Sequence, residues 1–205
     1  DSAHALGSTY SHKKCGKLGD ISIFSFTPHK IITMGQGGMI LTDKKTLSGF
    51  IENIKTFNRI GDKSDFHKGF GLNFKITDLQ AAIGNSQFQK LDKHIELKRK
   101  VLNYYKNTIS DEFKIIEFTK YEVPWFIDIC FKNKSKRTNA INKLNDQGIE
   151  TRLSYPPLSK QKYLKKYANK NLNYSESIYE KILWMPSSIN LTKKVISNIC
   201  SVINE

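Results

Sequence analysis

The sequence contains few cysteines and no cysteine pair of the kind that builds a covalent or metal framework. Its 205 residues include only Cys15, Cys130 and Cys200, which are widely spaced and form no Cys-x-x-Cys motif. An odd number of isolated cysteines is typical of reduced thiols in a cytosolic protein. The five histidines also lack the short spacings of a zinc site. We therefore expect neither a disulfide framework nor a bound metal.

A long hydrophobic run is also missing. The apolar segments Ile21–Phe24 and Ile127–Phe131 are interrupted by polar residues, whereas a membrane-spanning helix needs about 20 consecutive apolar positions. The chain begins at Asp1 without a basic and apolar leader, so we expect no secretory signal, no membrane partner and a cytoplasmic location. Because it opens inside what resembles the end of a strand, we expect it to be a fragment of a longer protein.

Acidic residues are scarce relative to basic ones. The chain carries 33 lysines and arginines against 19 aspartates and glutamates, a formal net charge of +14. Such a charge attracts polyanions, so a nucleic-acid binder is one hypothesis. The lysines are nevertheless spread along the chain, and no zinc finger, aromatic RNA-binding motif or continuous basic helix is present. We therefore expect no nucleic-acid partner, while the charge is compatible with an anionic small substrate such as a sugar diphosphate.

The first half of the chain alternates between short β-like segments and helices. Ile21–Phe26 and Met39–Thr42 have the residue types and spacing of strands. Residues 44–58 place apolar side chains at helical spacing, and Thr77 is a suitable N-cap for a further helix. A long helix is predicted over Leu91–Asn107.

The pattern after Ser110 is that of a smaller α+β unit. It predicts strands at Trp125–Phe131 and Ile149–Leu153, with Gly148 ending the helix before the second strand. Three helices are predicted here: Lys136–Asn145, Tyr174–Leu183 and Lys193–Ile203. Because the long helix lies between the two patterns, we predict two domains, residues 1–92 and 93–205.

A lysine follows the first predicted strand in a loop that glycines close. Lys30 comes after Thr27 and Pro28, and the glycine cluster of residues 35–38 follows it. A lysine that is fixed and partly desolvated can be neutral and nucleophilic, and can therefore bond to an aldehyde. Glycines let the backbone approach a flat ring or a phosphate. The residue types alone do not separate this chemistry from a solvated surface lysine.

The order of several motifs is more specific. Residues 24–39 resemble the cofactor-lysine segment of the DegT/DnrJ/EryC1/StrS family of sugar aminotransferases. Further segments resemble that family's motifs in the same order, and together they cover essentially the whole chain: Asp1–Gly7, Lys17–Ile21, Gly71–Gly84, Gly148–Arg152 with Tyr155–Pro157, and Trp184–Pro186.

The resemblance implies a fold and an activity. The fold would be the α/β fold-type I of aminotransferases that use pyridoxal 5′-phosphate (PLP). Residues 1–92 would be the C-terminal part of the large cofactor-binding domain, and residues 93–205 a linking helix and a small C-terminal α+β domain. The enzyme would aminate a nucleotide-diphospho-4-keto-6-deoxy sugar, as a perosamine synthase does, with L-glutamate as the amino donor. It would serve glycan biosynthesis as a homodimer with shared active sites.

Five residues receive roles from this resemblance. Lys30 matches the lysine that bonds to the cofactor and then moves the substrate proton, and Asp1 matches the carboxylate that keeps the ring nitrogen protonated. His4 matches the residue at the ring hydroxyl, and Ser25 matches a donor to the cofactor phosphate. Asn73 matches an asparagine that reaches the phosphate of the neighbouring subunit's cofactor, which makes the dimer necessary for activity.

Departures from the family pattern keep alternatives open. Gln36 stands where glutamate is frequent, and Lys75 stands where arginine is frequent, which loses a bidentate grip on an anion. A related branch of sugar dehydratases has histidine at the lysine position, whereas here His29 precedes Lys30. A dehydratase relative and a truncated, non-catalytic relic therefore remain alternatives, and we expect the chain by itself to be inactive.

Overall fold

The chain divides into two compact units. The computed structural model describes residues 1–61, 65–167 and 172–204. The N-terminal unit consists of Asp1–Ile95 with Lys120–Val123, and the C-terminal unit consists of Glu96–Thr119 with Pro124–Glu205. Within the described ranges, no helix is both long and apolar enough to span a lipid bilayer. The domain boundary after residue 92 stays a prediction.

Two antiparallel hairpins form the β-structure of the N-terminal unit. β1 (Thr9–Tyr10) pairs with β2 (Lys13–Lys14), and β3 (Ser22–Ser25) pairs with β4 (Gly38–Leu41). β3 and β4 confirm the two strands predicted in this part of the sequence. Alternate β3 side chains point inward, and Phe24 packs with other buried apolar residues to form the unit's core: Phe26, Ile32 and Met34.

The helices of this unit begin where the sequence predicts them. α1 spans Lys45–Lys55, α2 spans Asp78–Phe88, and α3, Leu91–Lys106, starts here and continues into the other unit. The helix predicted over residues 44–58 stops early because Phe57 and Asn58 adopt φ angles of 67° and 52°. These angles belong to the left-handed region, which a right-handed helix cannot continue through.

A four-stranded antiparallel sheet is the centre of the C-terminal unit. It contains β5 (Lys114–Ile115), β6 (Ile127–Cys130), β7 (Arg152–Leu153) and β8 (Ile182–Met185) in the order β5-β6-β8-β7. The unit also contains α4 (Lys134–Asp146), α5 (Asn173–Ile178), α6 (Lys193–Asn204) and two short 3₁₀ helices, Leu158–Lys160 and Lys162–Tyr167. Gly148 follows α4 with φ of 68°, as its predicted role at the helix end requires.

The core of the C-terminal unit lies between one face of this sheet and three helices. Inward side chains of β6 and β8 pack against apolar residues of α3, α4 and α6. The most deeply buried of these side chains are Ile127, Ile129, Leu183, Tyr105, Leu144 and Ile196. Burial of apolar surface of this kind is the dominant favourable contribution to folding.

The prediction of a helix over Tyr174–Leu183 is wrong in its last part. α5 ends at Ile178, and Ile182–Met185 forms the strand β8. All four residues of β8 are buried, and β8 pairs with both β6 and β7. A short apolar run of this type fits a buried helix or a buried strand equally well, so its hydrogen-bonding partners decide the outcome.

Candidate active site

The loop that carries Lys30 starts at the end of β3 and returns to it. The Lys30 amide donates to the carbonyl oxygen of Thr27 at 3.1 Å. Further along, the Met34 amide and the Thr33 hydroxyl both donate to the Phe26 carbonyl oxygen, at 2.9 and 3.2 Å. The Phe26 amide in turn donates to the Gly37 carbonyl oxygen at 2.9 Å. Phe26 therefore anchors both sides of the loop.

Lys30 is only partly exposed. Its partial burial lowers the pKa of the Lys30 amine below the ordinary 10.5, because removing water disfavours the charged form. A larger fraction of the amine is therefore neutral at a given pH than on a solvated lysine. Neutral amine is the form that attacks an aldehyde or accepts a proton.

His4 lies within electrostatic reach of Lys30. Partial burial, and after it the charge of Lys30, lower the pKa of the His4 imidazole below 6.5. His4 is therefore favoured as a neutral ring that can donate from one nitrogen and accept at the other. The structure thus brings together two of the residues that the sequence assigns to one site.

Asp1 and Ser25 lie on two neighbouring segments. The Ser2 amide, next to Asp1, donates to the Ile23 carbonyl oxygen of β3 at 3.0 Å. Asp1 is exposed, and its Oδ1 accepts from the Ala3 amide at 2.9 Å. Ser25 ends β3, is half-buried, and its hydroxyl lies 3.5 Å from that of Thr27. The N-terminal segment with Asp1 and His4 therefore runs beside the strand that carries Ser25 and leads to Lys30.

Asn73 is carried by a different loop. It is exposed, and its backbone forms an isolated bridge with Thr56 just after α1. The next residue extends this pairing, since the Phe74 amide donates to the Lys55 carbonyl oxygen at 3.0 Å. The geometry thus assigns Asn73 to the segment between α1 and α2, separate in sequence from the Lys30 loop.

Near the segment that carries Asn73, the aromatic ring of Phe57 lies close to two cationic side chains. The Arg59 guanidinium carbon and Lys75 Nζ lie 4.8 and 5.1 Å from the centroid of the Phe57 ring. Arg59 also pairs with Asp65 at 3.5 Å. The sequence pattern predicted a helix over residues 44–58, which includes Phe57, and assigned no role to Arg59. No signal in the sequence marks the left-handed backbone that turns the Phe57 ring toward these cations.

Two polar residues that sequence reasoning left out of the site hold the Lys30 loop. His94 of α3 contacts the Ile31 carbonyl oxygen through Nδ1 at 3.2 Å, and Gln80 of α2 donates from Nε2 to the Gln36 carbonyl oxygen at 3.1 Å. The sequence indicates part of the role of Gln80, because Thr77 and Gln80 have the spacing of a capping box at the start of a helix. Nothing in the sequence links either residue to a backbone carbonyl far along the chain.

The donor set fits PLP. The cofactor has an aldehyde, a ring nitrogen, a ring hydroxyl and a phosphate, and the chain offers a partly desolvated amine, a carboxylate, a neutral imidazole and a hydroxyl on adjoining segments. By contrast, the described residues contain no cluster of three or more His, Cys, Asp or Glu side chains that could hold a metal ion.

Comparison with known proteins identifies the family. A model of the DegT/DnrJ/EryC1/StrS aminotransferase family matches residues 1–204. The chain belongs to this family. The family assignment made from the motifs is therefore confirmed, and PLP is the cofactor of the family's aminotransferases.

Among curated relatives, GDP-perosamine synthase of Escherichia coli O157:H7 is 33% identical over 208 aligned residues, which include all of this chain. The chain spans 57% of the length of that relative. The rest of that relative therefore has no counterpart in these 205 residues.

Solved structures confirm the fold. The aminotransferase PseC of Helicobacter pylori, involved in pseudaminic acid biosynthesis, superimposes with a TM-score of 0.89 at 24% identity, over 99% of this chain and 57% of that one. A GDP-4-keto-6-deoxy-D-mannose-3-dehydratase of E. coli with bound hydrated PLP gives a TM-score of 0.85 at 22% identity, over 99% and 59%. The predicted fold-type I is thereby confirmed. Because an aminotransferase and a dehydratase share it, the fold alone does not determine the reaction.

Proposed function

We propose that the protein is a PLP-dependent aminotransferase. It transfers the amino group of L-glutamate to a nucleotide-diphospho-4-keto-6-deoxy sugar for amino-sugar and glycan biosynthesis. The observation that carries the proposal is the position of Lys30 on a loop that leaves β3 beside the N-terminal segment with Asp1 and His4, where partial burial lowers the pKa of its amine. The similarity over the whole chain to a GDP-perosamine synthase supports the substrate class.

The cofactor, when bound, supplies an aldehyde and a protonated ring that withdraws electrons from the carbon next to the substrate nitrogen. The Asp1 carboxylate would keep the ring nitrogen protonated, because a nearby negative charge favours the charged form. His4 would hydrogen-bond to the ring hydroxyl and orient the ring. The Ser25 hydroxyl would donate to the phosphate.

Lys30 has two tasks in this proposal. Its amine would hold the cofactor at the aldehyde, and the aldehyde would supply the carbon at which the amine of the substrate replaces that of Lys30. The same amine, once free, would accept the proton from the substrate carbon and return it one position away. Because partial burial lowers the pKa of the Lys30 amine, a larger fraction of it than of a solvated lysine can accept a proton at a given pH.

The proposal also includes assembly as a homodimer and a location in the cytoplasm. Asn73 is exposed. A residue that completes the phosphate site of the neighbouring subunit in a homodimer must be exposed before the subunits assemble. The free thiols of Cys15, Cys130 and Cys200 fit the reducing cytoplasm.

Transfer of labelled nitrogen tests the proposed reaction. The full-length protein, supplied with PLP and ¹⁵N-glutamate, is expected to convert a GDP- or UDP-linked 4-keto-6-deoxy sugar into the ¹⁵N-amino sugar. Mass spectrometry of the sugar separates this product from a dehydration product and from unchanged substrate. Loss of water without nitrogen gain would favour the dehydratase alternative, and unchanged sugar across donors would favour the non-catalytic relic.

Lys30→Arg is the test variant for this assay, and Lys44→Gln is a control at a lysine outside the site. Arginine keeps the positive charge at position 30 but cannot be deprotonated in a protein, so nitrogen transfer should be abolished. Lys44 is exposed and ion-paired with Asp20 at 2.8 Å, so Lys44→Gln should leave the rate unchanged.

A further inference from the structure

The amide of Gln80 makes hydrogen bonds in two directions. Its oxygen Oε1 accepts from the backbone amide of Thr77 at 2.9 Å, and the Thr77 hydroxyl lies 3.2 Å from the same oxygen. Its nitrogen Nε2 donates to the backbone carbonyl oxygen of Gln36 at 3.1 Å, across 44 positions of the sequence. One side chain therefore joins the start of α2 to the glycine cluster of residues 35–38.

Chemistry fixes which way this amide points. The Thr77 backbone nitrogen can only donate, so it requires the oxygen of the Gln80 amide. The Gln36 carbonyl can only accept, so it requires the nitrogen. The flipped amide would place two donors together at one end and two acceptors together at the other. Gln80 therefore satisfies both partners in one orientation.

A second contact joins the same two elements. Gly84 lies one turn of α2 beyond Gln80, and a Cβ at position 84 would lie 2.8 Å from Met34 Cγ and 3.1 Å from Met34 Sδ. The Met34 side chain thus lies directly against the helix backbone. The Lys30 loop therefore contacts α2 through a hydrogen bond at residue 36 and close packing at residue 34.

The hydrogen bond from Gln80 gives the glycine cluster an anchor from outside the loop. Gly35, Gly37 and Gly38 have no side chains to pack, and glycine loses more conformational freedom on folding than any other residue. Gly35 has φ of 76° and has open space where its Cβ would be. Gln36 is exposed, and its carbonyl is held by the amide of Gln80. Without that hydrogen bond, the part of the loop that leads back to Phe26 would be held less tightly.

We propose that Gln80 is a positioning residue for Lys30, because the hydrogen bond from its Nε2 to the Gln36 carbonyl fixes the glycine cluster that closes the lysine loop. The same side chain caps α2, which follows the segment carrying Asn73. Gln80 therefore couples the loop that carries Lys30 to the segment that carries Asn73. This inference rests on the proposed function only for the catalytic role of Lys30. The coupling between the two segments is a property of the folded chain without cofactor and does not depend on that function.

Gln80→Glu separates the two tasks of the side chain. Glutamate is a good residue at this position of a capping box, so the acceptor for the Thr77 amide is kept. It has no hydrogen to donate at neutral pH, and it places a negatively charged oxygen against the Gln36 carbonyl oxygen. The variant thus keeps the helix cap and removes the bond to the loop. Asn85→Asp is the matched control, since it makes the same amide-to-carboxylate change at an exposed position of α2.

Amide hydrogen exchange of the full-length protein without cofactor is the first measurement. In Gln80→Glu, exchange of the loop amides of Phe26 and Met34 is expected to accelerate by about 3- to 10-fold, the effect of losing one ordinary hydrogen bond. The Ala81 amide, which bonds to the Thr77 carbonyl oxygen at 2.9 Å, should exchange at the wild-type rate. Asn85→Asp should leave all three amides unchanged. Loop exchange that is equally slow in Gln80→Glu and wild type would overturn the proposal.

The reactivity of Lys30 toward an amine reagent is the second measurement, because a purely structural role of Gln80 would not change it. The pH dependence of Lys30 labelling by acetic anhydride, followed by peptide mass spectrometry, gives the pKa of its amine. Gln80→Ala, which adds no charge, should admit water to the loop and raise that pKa toward the ordinary 10.5. Thr77→Ala weakens the cap but keeps the bond to Gln36, so it should leave the pKa unchanged.

These outcomes are independent of the proposed enzymatic activity. An unshifted Lys30 pKa in Gln80→Ala, or an equal shift in Thr77→Ala, would show that Gln80 does not position the lysine. Failure of ¹⁵N transfer in the wild-type protein would instead refute the aminotransferase, and would leave the coupling of the two loops intact.

Discussion

His94 holds the backbone carbonyl next to Lys30: its Nδ1 lies 3.2 Å from the Ile31 carbonyl oxygen, 63 positions earlier in the sequence. Because a carbonyl oxygen only accepts, Nδ1 must carry the hydrogen. The start of α3 therefore supports one side of the Lys30 loop, as α2 supports the other.

This contact predicts a difference between two substitutions. His94→Leu leaves the Ile31 carbonyl without its side-chain donor and should lower the free energy of unfolding by about 1 kcal/mol. His94→Asn keeps an N–H near the position of Nδ1 and should cost less. Urea unfolding of both variants measures the difference, and equal losses would show that the hydrogen bond contributes nothing to stability.

Substitution of glycine by alanine should have opposite effects on stability at two helical positions. Gly49 in α1 has no atom within 4 Å of where its Cβ would be, so Gly49→Ala should stabilise the protein by about 0.5–1 kcal/mol through helix propensity. At Gly84, a Cβ would lie 2.8 Å from Met34 Cγ. Gly84→Ala should therefore destabilise by about 1–3 kcal/mol through overpacking. Thermal unfolding of the two variants checks both signs, and stabilisation by Gly84→Ala would contradict the packing of Met34 on α2.

The predictable parts of the structure are those set by neighbouring residues. The Thr77 cap, the strand after Asp20 and the helix starting at Leu91 follow from local patterns, and the structure has all three. The motif order also led to the family. What the sequence did not reveal depends on distant pairing: β8 is a strand because β6 and β7 flank it. The contacts of Gln80 and His94 with carbonyls of the Lys30 loop likewise join distant positions, and a polar residue on a helix gives no sign of its partner.

Asp128 in β6 predicts a pH-dependent stability. Its Oδ1 is buried without a hydrogen-bond partner, and burial raises the pKa of the Asp128 carboxyl to about 6 from 3.8. Between these values the folded state holds a proton that the unfolded state has released, so stability falls as pH rises from about 4 to about 6 and stays reduced above. Asp128→Asn should remove this decrease and unfold at a higher temperature at neutral pH.

Melting temperatures measured across this pH range test the assignment. Asp111→Asn, at an exposed position of the same unit, should retain the wild-type pH dependence. A decrease of wild-type size in Asp128→Asn would mean that another group causes it.

Lys98 of α3 predicts a dependence in the opposite direction. Its side chain is 8% exposed, and its Nζ donates to the Ser187 carbonyl oxygen. Burial lowers the pKa of the Lys98 amine to about 8 from 10.5. Above pH 8 the folded state releases a proton that the unfolded state keeps, so this group's contribution to stability increases until about 10.5.

Lys98→Met keeps an apolar chain of similar length and removes the charge. The difference in unfolding free energy between wild type and Lys98→Met should therefore shift in favour of the wild type between pH 8 and pH 10. Urea unfolding at both pH values measures this shift. A difference in unfolding free energy that does not change with pH would contradict a buried Lys98 with a lowered pKa.

The most direct test of the proposed chemistry is the location of the covalent bond to PLP. The full-length protein is incubated with PLP, reduced with borohydride and digested, and the modified peptide is sequenced by mass spectrometry. The stable adduct is expected on Lys30 and should disappear in Lys30→Ala. An adduct on another lysine that persists at the wild-type level in Lys30→Ala would contradict the assignment of Lys30 as the catalytic residue.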